Sequence, residues 1–170
     1  MELVYLNVGS NTDRHTHICR GLDALQQQFG DLQLSSVYES EALGFSGEPF
    51  YNLALALYTD EPLVEFARWL RQLEYANGRH REAERFSPRT LDIDILLYGD
   101  VNGESAAIEL PRPEIVENAH VLAPLAELVP DRVHPLVGKS YAQLWADFHS
   151  PDNVWQVEFC WGELEISHSS

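Results

Sequence analysis

An α+β fold, with a four-stranded, mainly antiparallel sheet and helices packed on it, is what this sequence predicts. Three observations lead there. Strand-like and helix-like stretches interleave as β-α-β, β-α-β and then a run of short helices, the order of a ferredoxin-like sandwich with two helices on one face. The helical stretches are amphipathic, whereas the central strand is apolar on both faces. The 170 residues are 45% hydrophobic and 22% charged, with no repeat and no linker, which suits one domain over 1–170 around a single core.

The first strand covers Leu3 to Val8, rich in strand formers. Gly9, Ser10, Asn11, Thr12 and Asp13 supply a turn and a helix N-cap. A helix follows from about Arg14 to Phe29, with Ile18, Leu22, Leu25 and Phe29 at helical spacing and Gly30 as its stop. Leu32 to Tyr38 alternates as a second strand. Glu39 to Pro49 has no periodicity and reads as a loop. Phe50 to Tyr58 is the long apolar strand, and Asn52 is its polar exception. Pro62 opens a second helix whose stripe is Leu63, Phe66, Ala67, Leu70 and Leu73, ending at Asn77-Gly78. Glu74 falls on the apolar side of that helix, where a carboxylate should pair with a cation such as Arg79 or Arg89. Short helices are predicted near 114–117, 121–128 and 140–148, a short strand at Ile108 to Leu110, and a further strand within Val154 to Ile166.

The stretch from Glu74 to Asp94 concentrates the chemistry. Lys and Arg number 11 against 27 Asp and Glu, yet Arg79, Arg81, Arg85 and Arg89 fall together in one loop. Guanidinium groups keep their charge and grip phosphate in bidentate fashion. The loop runs into a strand carrying Asp92 and Asp94. Alternation puts both carboxylates on one side, about 7 Å apart, with Leu91, Ile93 and Ile95 on the other. Such a pair suits Mg²⁺, which accepts one or two carboxylates and fills its remaining positions with water and phosphate oxygens. Two ions there would clamp an in-line displacement at phosphorus. The bland alternatives are a solvated strand face and a salt-bridge lattice.

The run R-F-S-P-R-T-L-D-I-D-I, Arg85 to Ile95, resembles the signature of the hydroxymethyldihydropterin pyrophosphokinases of folate biosynthesis. Gly9-Ser10-Asn11 after the first strand, Tyr51-Asn52, Glu74 with Gly78-Arg79, and the run Pro124 to Asp131 are also similar to that family, over roughly residues 2 to 145. The resemblance implies ATP as co-substrate and two Mg²⁺ ions on Asp92 and Asp94. It implies Arg79 and Arg89 as catalytic cations, with Arg81, Phe86, Arg112 and Arg71 at the nucleotide. It implies pterin contacts from Leu43, Gly44, Phe50, Asn52 and His120, and Glu74 as a tether for the arginine loop. Phe45 adds aromatic surface to the same loop. Three positions depart from the family pattern: Arg112 stands where a His is usual, Asn118 where an Arg is usual and His120 where a Phe is usual. A paralogue with another acceptor and a non-catalytic nucleotide-binding protein therefore stand as alternatives. No glycine-rich phosphate cradle is present, so phosphates would be held by arginines and metal.

A net charge of −16 argues against nucleic acid and anionic membranes as partners, and makes a two-metal nuclease a poor reading of D-x-D. Cys19 and Cys160 lack metal-ligand spacing and read as reduced thiols. No apolar run approaches a membrane span, and the first ten residues lack the charged segment of a secretory signal. A cytoplasmic monomer is the expectation. Residues 150–170 carry no functional reading.

Overall fold

The computed structural model describes residues 1–41, 48–78, 90–105, 107–149 and 153–169. The elements are β1 (Glu2–Ser10), α1 (Arg14–Phe29), β2 (Gln33–Leu34), β3 (Val37–Ser40), β4 (Phe50–Thr59), α2 (Leu63–Ala76), β5 (Asp92–Tyr98), β6 (Gly103–Ser105), β7 (Ile108–Leu110), a 3₁₀ turn (Pro113–Ile115), α3 (Ala119–Leu128), α4 (Tyr141–Ala146), β8 (Val154–Val157), β9 (Phe159–Trp161) and β10 (Leu164–Ser167). The α+β class is as predicted: an antiparallel sheet in the order β5-β1-β4-β3-β8, with β2 also on β4, carries helices on its faces.

Both faces of the central strands are apolar, and this explains why a second helical layer joins the expected one. Val4, Leu6 and Val8 of β1, with Leu53, Leu55 and Leu57 of β4, pack against Ile18, Leu22 and Leu25 of α1 and Phe66 and Leu70 of α2. On the opposite face Tyr5, Ala54, Ala56 and Leu96 meet Val121, Leu122 and Leu125 of α3 and Tyr141 of α4. The two alanines leave room for α3 to approach the sheet.

The expected strand at Leu32 to Tyr38 is split in two. At the break, Ser35 Oγ accepts the Ala54 N–H at 2.9 Å while the Ser35 N–H donates to the Ala54 carbonyl at 2.9 Å. One residue thus satisfies both backbone groups of its neighbour, and the ladder resumes beyond it.

The C-terminal segment is more built in than its sequence suggested. β8 pairs with β3 along Val37–Ser40, and Ser167 Oγ accepts the Val37 N–H at 2.9 Å. Phe159 is buried, and Trp161 Nε1 donates to Asp23 of α1 at 2.8 Å. Cys19 and Cys160 are free thiols. No helix among the described residues is long and apolar enough to cross a membrane.

Candidate active site

The carboxylate pair is placed by the register of the sheet edge. Asp92 lies opposite Gly9 and Asp94 opposite Asn7 on β1, while Ile93 between them is buried in the α1/α2 core with Ile95. Directly opposed residues of an antiparallel pair share a face. Asp92 and Asp94 therefore point to the α3 side together, as alternation predicts.

Gly9 is also opposite Asn52 of β4. Asp92, Gly9 and Asn52 thus form one row across three strands, roughly 10 Å from end to end at about 4.8 Å per strand. The middle position has no side chain. A Cβ on Gly9 would lie 2.5 Å from Asn52 Oδ1, so glycine keeps this floor open. Asn52 is 4% exposed, and its Nδ2 has no hydrogen-bond partner among the described residues. A buried amide N–H₂ left unmatched costs free energy, and a ligand acceptor would offset it. Phe50, two residues earlier on β4, is on the same side as Asn52.

One wall of this floor is α3. Asn7 Nδ2 donates to the His120 carbonyl at 3.3 Å, fixing the start of α3 over the sheet. Sequence reasoning missed Asn7. The signal was available as a lone amide among the strand formers of β1, where only a partner justifies burial to 4% exposure. His120 itself is half-buried, and Asn118 caps α3 through its backbone carbonyl, which accepts the Leu122 N–H at 3.0 Å.

The other side opens into a cleft of about 160 Å³ along the free edge of β5, lined by Arg71, Glu74, Asp92, Asp94, Ile108 and Arg112 among others. That volume is below the ~300 Å³ usual for a whole small-molecule ligand, so it suits the phosphate end of a nucleotide better than all of it. Two charged side chains finish the strand edge. Glu74 is 2% exposed and its Oε2 accepts the Ile93 N–H at 2.8 Å. Arg112 donates from Nε to the Ile95 carbonyl at 2.9 Å, and its own N–H donates to Leu96 O at 3.0 Å. Arg71 Nε lies 3.7 Å from Glu74 Oε1, while the expected partners Arg79 and Arg89 lie outside the described residues. A strand edge buried under a helix must be satisfied somewhere, and the nearest acceptor is Glu74.

Arg112 Nη1 lies 3.4 Å from Glu114 and 3.9 Å from Asp94. The contact with Asp94 is long, and both side chains stay about a third exposed. Both aspartates line the cleft beside Arg112. Oxygen donors on one face, next to guanidinium groups and a polar cleft, fit a hard cation carrying phosphate. Among the described residues no cluster of three or more His, Cys, Asp or Glu is poised around one ion. The sequence-predicted residues Leu43, Gly44, Phe45, Arg79, Arg81, Arg85, Phe86 and Arg89 lie outside the described residues.

Residues 5–130 match the family model for 7,8-dihydro-6-hydroxymethylpterin-pyrophosphokinase (HPPK). The chain belongs to the HPPK family. It is 33% identical over 141 residues to the 2-amino-4-hydroxy-6-hydroxymethyldihydropteridine pyrophosphokinase of Aquifex aeolicus, covering 82% of this chain and 88% of that one. The enzyme of the same name from Bacillus subtilis is 35% identical over 130 residues, covering 74% and 77%. The folate synthesis bifunctional protein of Chlamydia caviae is 34% identical over 82% of this chain, which spans only 33% of that protein. In fold, the chain is similar to a solved Plasmodium falciparum HPPK-DHPS chain, with a TM-score of 0.66 at 13% identity over 85% of this chain and 41% of that one. The HPPK match stops at residue 130, so α4 and the strands β8 to β10 lie beyond it.

Proposed function

We propose that this chain is a single pyrophosphokinase-like domain that transfers the pyrophosphoryl unit of ATP to the hydroxymethyl group of 6-hydroxymethyl-7,8-dihydropterin, releasing AMP, in folate biosynthesis. The row Asp92–Gly9–Asn52 carries this reading. It sets a carboxylate and an unmatched buried amide on one face, with an open floor between them, where a cation and the reacting hydroxyl would fit. HPPK membership and the names of the Aquifex and Bacillus relatives support the choice of substrates.

Asp92 and Asp94 would hold two Mg²⁺ ions, which when bound neutralise the triphosphate and polarise the phosphorus under attack. Arg112 and Arg71 flank the cleft and would take phosphate oxygens, with Arg81 and Phe86 completing the nucleotide contacts. Arg79 and Arg89 would neutralise charge on the transferring group. Asn52 would hydrogen-bond the amide edge of the pterin, whose faces would meet Phe50, His120 and the Leu43-Gly44 backbone. Glu74 holds the β5 edge at Ile93 and so keeps the aspartates in register. The enzyme would act as a cytoplasmic monomer, in keeping with its free thiols.

AMP release from Mg–ATP, measured with and without hydroxymethyldihydropterin, tests the reading. Acceptor-dependent AMP with a pterin diphosphate product is the expected result. Nucleotide binding without AMP release in the presence of the pterin would overturn it. Arg112, Asn118 and His120 depart from the family pattern, so a panel of other pterins and alcohols separates the proposed acceptor from a different one.

A further inference from the structure

We propose that Arg14 is a positioning residue for the acceptor half of the site, an inference that rests on the pterin reading of Asn52. Arg14 opens α1, just after the bend at 11–13 that follows β1. Its Nη1 donates to Glu39 Oε2 at 2.9 Å and to the Pro49 carbonyl at 2.9 Å. Its Nε lies 3.3 Å from Glu48 Oε2, and its guanidinium carbon sits 3.8 Å from the centre of the Tyr51 ring. One side chain thus joins α1 to β3, to the residues entering β4, and to β4 itself. That side chain is 18% exposed and Glu39 21%, so water screens this pair weakly, whereas Glu48 is 64% exposed. Charge-assisted bonds of this kind are roughly twice as strong as neutral ones. Phe159 closes the arrangement from the C-terminal hairpin, edge-on to Tyr51 at 6.3 Å.

Tyr51 and Asn52 are neighbours on β4 with side chains on opposite faces of the sheet. Arg14 grips the strand from the α1 side, at the residue next to the amide that would read the pterin. Clearance around that amide is small, since a single added carbon on Gly9 would collide with it. A shift of a few tenths of an ångström in the Phe50–Asn52 stretch therefore re-aims it. The partners of Arg14 lie on β3, on β4 and just before β4, whereas Asp92 and Asp94 lie on β5, two to three strands from β4 and β3. At about 4.8 Å per strand that is roughly 10–14 Å. Loss of Arg14 accordingly separates the two halves of the site: acceptor affinity falls and nucleotide affinity stays.

The test is calorimetric titration of wild type, Arg14→Ala and Arg14→Lys. The probes are Mg²⁺ with α,β-methylene-ATP, then 6-hydroxymethylpterin added to that complex. Arg14→Ala is expected to raise the pterin Kd about tenfold or more, the equivalent of one lost charge-assisted contact, with the nucleotide Kd within about twofold of wild type. Arg14→Lys, which keeps charge but not the fork, should fall between. Should Arg14→Ala fail to fold, Glu39→Gln removes one ion pair alone and should show the same split at smaller amplitude. Wild-type pterin affinity in Arg14→Ala, or in Glu39→Gln when that is the variant that folds, overturns the inference, as does equal weakening of pterin and nucleotide. A wild type that binds the nucleotide analogue but no pterin overturns the functional reading and this inference together.

Discussion

Replacing Gly9 by alanine isolates the open floor between the carboxylates and Asn52. The new Cβ would lie 2.5 Å from Asn52 Oδ1, 3.3 Å from its Cγ and 3.4 Å from the Tyr51 carbonyl oxygen. Carbon and oxygen do not approach to 2.5 Å without bonding, so something moves. The carbonyl belongs to a paired strand, and the cheaper movement is rotation of the Asn52 amide. An amide turned away from the proposed pterin edge would lose about two hydrogen bonds, each worth roughly 0.5–1.5 kcal/mol net. The sum, about 1–3 kcal/mol, corresponds to acceptor binding weaker by roughly 5- to 150-fold. Nucleotide binding, proposed at the β5 edge, should change by less than about threefold. Initial rates of AMP release at saturating Mg–ATP, taken over a range of pterin concentrations, give the acceptor KM. An unchanged acceptor KM in Gly9→Ala would refute the placement of the pterin beside Asn52.

Other outcomes follow from the same geometry. Asp92→Asn and Asp94→Asn should each lower kcat by about 10²–10³ and move the Mg²⁺ dependence to higher concentration; Arg89→Ala should cost a similar factor with Mg²⁺ dependence retained. Glu74→Ala strands the Ile93 N–H in a site where the native carboxylate is 2% exposed, and should cost about 1–3 kcal/mol in urea unfolding. Phe159→Ala empties a buried position under the C-terminal hairpin and should cost about 3–5 kcal/mol by the same assay. His134 is buried, which lowers its pKa below the ordinary 6.5, and its Nδ1 accepts the Leu136 and Val137 N–H groups at 3.1 and 3.3 Å. The unfolded chain therefore takes up this proton first as pH falls. The stabilisation is full above about pH 6.5 and is lost as pH drops below it, so His134→Asn should show a shallower loss between pH 7.5 and 5.5.

The carboxylate pair was legible because it depends only on period-two alternation, which survives any change of neighbour. Asn52 was legible as a single amide in an apolar run. The roles of Gly9 and Asn7 were not, because both depend on which residue of another strand lies opposite, and register is a long-range property. Glu74 was placed on the buried side of its helix, but its acceptor role at the Ile93 N–H required knowing that β5 is an edge strand. Arg14 looks like an ordinary first-turn helix residue; its partners are 25 to 37 positions away. The C-terminal strands alternate too weakly to reveal that β8 would extend the sheet at β3.

Paramagnetic relaxation tests most directly whether Asp92, Gly9 and Asn52 set the acceptor beside the metal-bound phosphates. A complex of the protein with Mn²⁺, α,β-methylene-ATP and 6-hydroxymethylpterin labelled with ¹³C at the hydroxymethyl carbon provides the signal. Strong broadening of that carbon, lost in Asp92→Asn, is the predicted result. A pterin that binds with its hydroxymethyl resonance unbroadened would contradict it.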